Sequence, residues 1–119
     1  MINIFVDLNY HFLLHLHIHP YSIFWIVSVT FEIYQIIYKS AMAMAGTDVS
    51  DCIAVGDSLH HDIKGANAAG IKSVFITGGI HATELGLHGF EEVANSSSVE
   101  SVATKYDAYP SYVLPAFTW

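Results

Sequence analysis

Residues 52–77, CIAVGDSLHHDIKGANAAGIKSVFIT, constrain the fold of this chain more than any other stretch. Ile53-Ala54-Val55 is a short apolar run, β-branched at both ends and closed by Gly56, the pattern of a buried strand. Ser73-Val74-Phe75-Ile76-Thr77 is a second such run, and the stretch between them is helix-like and ends at Ala69-Gly70. Strand, helix and strand at this spacing predict a parallel pair joined by a right-handed crossover, with helices covering the sheet. Ligands of such sheets gather outside the carboxyl ends of the strands, where Asp57 falls.

Asp57 and Asp62 give that corner a chemical use. Mg²⁺ is a hard cation that takes oxygen ligands and keeps several waters, so one or two carboxylates suffice from the protein. Asp57 would present its carboxylate at the strand tip. Asp62, in the first helical turn, would act directly or through water, and its charge suits the positive end of a helix. The same pair also reads as a strand terminator and a helix cap with no metal. Gly65 is costly inside a helix, by about 1 kcal/mol against alanine, and predicts a close helix–sheet approach along a small face with Ala66, Ala68 and Ala69.

Gly56-Asp57-Ser58-Leu59-His60-His61-Asp62-Ile63, continued by Gly65-Ala66-Asn67-Ala68-Ala69-Gly70-Ile71, resembles motif IV of the haloacid dehalogenase (HAD) superfamily and the helix after it in the class II, large-cap phosphatases. The resemblance runs from about Tyr38 to Trp119, the carboxyl-terminal portion of a 4-nitrophenylphosphatase-like or sugar-phosphatase-like member. It implies an α/β fold: a partial doubly wound, Rossmann-like parallel sheet. It also implies Mg²⁺-dependent hydrolysis of a small phosphorylated substrate, through an aspartate nucleophile and a second aspartate acting as acid and base. Asp57 and Asp62 are the metal residues that it carries over.

The other family motifs are poorly matched. Ile2-Asn3-Ile4-Phe5-Val6-Asp7-Leu8-Asn9 is faintly similar to the nucleophile strand, which makes Asp7 the candidate nucleophile, but Asn9 stands where the second acid belongs. Ile26-Val27-Ser28-Val29-Thr30 resembles the strand ending in the motif II threonine, and Lys39 is the candidate motif III lysine, without the usual Gly-Lys-Pro. The resemblance therefore implies a truncated phosphatase that keeps half of its metal site and lacks a working nucleophile.

Two other classes stay open. One is a non-catalytic interaction or regulatory module. The other is a membrane-tethered, histidine-rich metal binder built on the first residues. Residues 1–35 form an atypical apolar extension to a core fragment over 36–119. The extension holds His11, His15, His17 and His19, and residues 8–31 carry no formally charged side chain, long enough to reach across a bilayer. The histidines, Asn9 and Pro20 are poor guests in hydrocarbon, no regular element presents all four imidazoles together, and a cytoplasmic setting is expected. The segment is expected to make few specific contacts with the sheet.

A net charge of −7, with four lysines and no arginine, argues against nucleic-acid binding and removes the bidentate phosphate clamp. The lone Cys52 allows no internal disulfide and reads as a core residue. Elsewhere, Ile33, Ile36, Ile37, Ala41 and Met44 predict the buried stripe of a helix over 33–45 that stops at Gly46. His81, after Gly78-Gly79, is expected to be a surface histidine on the rim, with a catalytic role as the alternative. Glu84–Leu87 and Phe90–Ala94 are short helix candidates. Ser97-Ser98-Val99-Glu100 predicts a capping box for a helix to about Lys105. Tyr112-Val113-Leu114, between Pro110 and Pro115, predicts an edge strand.

Overall fold

The computed structural model describes residues 2–3, 35–89 and 91–118, with the side chains of the last two ranges. Their elements in chain order are β1 (Ile2–Asn3), α1 (residues 35–45), β2 (Cys52–Gly56), a π-helical turn (Leu59–Ile63) running into α2 (Lys64–Ala69), β3 (Lys72–Ile76), α3 (Ser96–Tyr106) and β4 (Tyr112–Leu114). The strands form one sheet in the order β1-β2-β3-β4, and every neighbouring pair is parallel. This is the α/β sheet that the two apolar runs predict. Ala54 lies beside Ser73 and Gly56 beside Phe75, so the two strands end together on one rim.

Both faces are covered, as a parallel sheet requires. Ser73, Val74 and Phe75 are consecutive and all buried. Phe75 belongs to a cluster with Leu59, Ile63, Leu85, Leu87, Val99, Val102 and Ala108. Cys52 and Ala54 belong to a second cluster with Tyr38, Met42, Ala66 and Ile71. Cys52 is thus the core residue expected of it. Gly65 is buried in α2, where the crossover helix meets the sheet, and Gly70 ends the helix in the left-handed region at φ 72°.

The buried stripe of α1 differs from the expected one. Tyr38 and Met42 are buried, whereas Ile36 is 59% exposed and Met44 90%. Two polar groups set this register. The Tyr38 hydroxyl donates to the Asp62 carbonyl at 3.1 Å, and Gln35 Nε2 donates to the Ala68 carbonyl at 2.9 Å. A phenol or amide with a partner can be buried with its apolar body, so counting aliphatic residues alone misplaces the face. Burial, and after it the Asp62 charge, push the Tyr38 phenol well above its ordinary pKa.

Residues 81–86 form turns rather than the helix expected at Glu84–Leu87, and residues 92–95 carry no helix. α3 begins earlier than the serines suggest. Asn95 is its cap, and its Oδ1 accepts from Ser97 N–H at 2.9 Å and from the Ser97 hydroxyl at 2.7 Å. β4 is the edge strand expected between the prolines, and its three residues are exposed. Lys39 is exposed on α1.

Ile2–Asn3 pairs in parallel with Cys52 and Ile53, so the amino-terminal extension contributes at least this short pairing to the sheet. Asp7, Thr30, the four early histidines and residues 8–31 lie outside the described residues. Among the described residues no helix is long and apolar enough to cross a membrane.

Candidate functional site

The rim where β2 and β3 end is built around Ser58. Its carbonyl accepts from both Asp62 N–H (2.9 Å) and Ile63 N–H (3.1 Å), one bond of α-helical and one of π-helical reach. Its hydroxyl accepts from His61 N–H at 3.2 Å, and its own N–H donates to Asp62 Oδ2 at 3.0 Å. This is a reciprocal cap in which the returning acid stands four residues on rather than three, matching the wider turn. Asp62 is therefore buried and engaged with the backbone of the turn. A Cβ on Gly56 would overlap the Asp62 carboxylate, so only glycine fits beneath it.

Asp57 sits one residue beyond β2, part-buried at the rim. Its Oδ2 accepts from Ile80 N–H at 3.1 Å, and a Cβ on Gly79 would overlap its side chain. Among the described residues no cation pairs with it. A half-exposed carboxylate of this kind suits Mg²⁺, which takes a single protein oxygen alongside water. Asp62 suits it less directly, because it is buried beneath the turn whereas Asp57 is part-exposed. Among the described residues no three His, Cys, Asp or Glu side chains converge at metal-ligand spacing. The structure thus places Asp57 and Asp62 on one turn in different settings, one on the rim and one beneath it.

His81 is buried, 4% exposed, and not the surface residue expected. Its Nε2 accepts from Leu59 N–H at 3.2 Å, and its Nδ1 lies 3.0 Å from Glu84 Oε2. An imidazole with both nitrogens partnered can be buried, and Gly78-Gly79 lets the chain bring it there. The sequence signal was present in the paired glycines and in His81-x-x-Glu84. Around it stand Tyr106, with ring centroids 4.9 Å away, and His60, 6.1 Å away. Burial lowers the His60 pKa, with smaller contributions from His61 and His81, and burial lowers His61 as well.

Glu84 also accepts from Lys105 and from the Tyr106 hydroxyl (3.2 Å), tying the rim to α3. The Lys105 bond, then the His81 bond, hold its pKa down to about 2. A depressed carboxylate contributes stability above its unfolded value of 4.5 and loses it as pH falls toward 2. The difference in melting temperature between the native chain and Glu84→Gln should accordingly be full at pH 6 and vanish toward pH 2. A difference that does not change across that range would refute the network.

A family model described as HAD-hydrolase-like matches residues 34–115. The chain belongs to the HAD-like hydrolase family. The match takes in every element from α1 to β4. Among solved structures, this HAD-like chain is similar to the p-nitrophenyl phosphatase from Archaeoglobus fulgidus, at 20% identity and a TM-score of 0.48. The likeness covers 69% of the present chain and 26% of the phosphatase. The chain therefore spans about a quarter of that protein. No curated protein matches it.

A groove of about 500 Å³ lies between α3 and β4, lined mainly by apolar groups such as Val99, Ala103, Val113 and Leu114. Neither Asp57 nor Asp62 lines it, so its volume does not make it the site of polar chemistry.

Proposed function

We propose that this chain carries the metal-binding corner of a HAD-type phosphatase acting on small phosphomonoesters, and that by itself it does not turn over. The observation that carries the reading is Asp57, held at the carboxyl end of β2 by the Ile80 amide with a part-exposed carboxylate. Asp57 would hold Mg²⁺ with water, and Asp62 would keep the turn in shape beneath it. A bound Mg²⁺ supplies neutralisation of charge on a phosphoryl oxygen. The covalent route used by such enzymes needs an aspartate nucleophile and a second acid two residues on. Asp7-Leu8-Asn9 offers an amide at that second position, which cannot protonate a leaving group.

Mg²⁺ should therefore bind weakly, on the order of millimolar, as at low-charge oxygen sites. Hydrolysis of 4-nitrophenyl phosphate by the purified chain should not exceed background with or without Mg²⁺, and Asp57→Asn should leave that rate unchanged. Mg²⁺-dependent turnover that both Asp57→Asn and Asp7→Asn abolish would demonstrate a complete site and overturn the inactive reading. Mg²⁺ binding that survives Asp57→Asn would overturn the metal assignment.

A further inference from the structure

Two hydrogen bonds from one segment grip the Asp57-Ser58-Leu59 turn. Ile80 N–H donates to Asp57 Oδ2, and the next residue, His81, accepts Leu59 N–H on Nε2. The Leu59 amide is one of the groups that a helix start leaves without an intrahelical partner. Because that N–H points at Nε2, the proton of the neutral ring belongs on Nδ1, where Glu84 Oε2 accepts it at 3.0 Å. The ring is wedged between Phe75, 5.8 Å away, and Tyr106, 4.9 Å away. Lys105 and Tyr106 of α3 in turn hold Glu84.

We infer that His81, in its Nδ1–H tautomer, is a positioning residue that orients the Asp57 carboxylate toward a divalent cation. The inference rests on the reading of Asp57 as a Mg²⁺ ligand. The ring fixes where the segment Gly79-Ile80-His81 lies against the turn. That placement aims the Ile80 amide at Oδ2 and stops the carboxylate from rotating. Partners that orient a ligand in this way matter nearly as much as the ligand, and their loss typically lowers metal affinity about 10–100-fold.

The two ring nitrogens can be tested separately. His81→Gln keeps an acceptor near the place of Nε2, whereas His81→Asn keeps a donor near Nδ1 but cannot reach Leu59. Mg²⁺ would be titrated into the full chain at constant ionic strength and followed by amide chemical shifts, with Asp57→Asn as control. His81→Asn is expected to weaken Mg²⁺ binding by about tenfold, and His81→Gln to restore most of the affinity. If Asp57→Asn binds Mg²⁺ as the native chain does, the ligand reading fails and the inference falls with it. If Asp57→Asn abolishes binding while His81→Asn leaves it unchanged, only the positioning role is wrong. Equal weakening by both His81 variants would also overturn it, leaving a space-filling role. Should His81→Asn fail to fold, the native chain decides. A scalar coupling across the Leu59 N–H···Nε2 bond is expected, and its absence overturns the proposal.

Discussion

Gly56→Ala is expected to destabilise the chain by about 3–5 kcal/mol, far more than alanine at any open glycine. The new methyl would overlap the Asp62 carboxylate and Cβ, and the Cβ, anchored to its own backbone, cannot swing aside. Forced overpacking costs about 1–3 kcal/mol. Displacing Asp62 also breaks its charged bond from Ser58 N–H, worth about 1.5–3 kcal/mol. Gly86 is the control: it has φ 75° but nothing within 4 Å of the added Cβ. Alanine there meets only the left-handed strain of about 1–2 kcal/mol. Urea unfolding of the two variants separates the cases. Equal losses would mean that Asp62 moves freely and that the rim is not rigid.

Phe75→Ala carries the second large effect, about 3–5 kcal/mol. Phe75 is fully buried on β3, within the cluster that joins the π-turn to α3. Its removal leaves a cavity beneath Leu59 and His81, so the loss should appear in global stability and in amide exchange at the rim. Val113→Ala, at a position 42% exposed on the edge strand, should change stability by no more than about 0.5 kcal/mol. A Phe75→Ala loss near 1 kcal/mol would show that the cavity collapses and that the core is less tightly packed than described.

The parts of this fold that were legible in the sequence are those fixed by local chemistry. Apolar runs closed by Gly56 and Thr77 give β2 and β3, and Gly46 and Gly70 stop helices because they sit at positive φ. The motif places Asp57 where the sheet ends. What escaped depends on partners distant in sequence. Tyr38 and Gln35 turn α1 onto a face that hydrophobic periodicity does not mark, because their polar ends meet carbonyls of residues 62 and 68. His81 is buried because its ring meets, besides Glu84, the backbone amide of Leu59, 22 residues earlier, a partner that His81-x-x-Glu84 does not announce. Asp62, a metal residue by the family resemblance, also stands at the spacing of a π-turn cap. One residue can satisfy both patterns, and the cap becomes visible only in the geometry of Ser58.

The placement of β4 has a consequence for colloidal behaviour. An open strand edge is a template on which a second molecule can pair, and repeated pairing builds fibrils. Here that template is three residues long, with Pro110 before it and Pro115 after it, neither of which has an amide hydrogen to offer. A strand arriving at this edge cannot extend its ladder past either proline. The apolar side chains of Tyr112, Val113 and Leu114 can thus stay exposed without seeding the ordered growth that a longer edge of the same composition would allow.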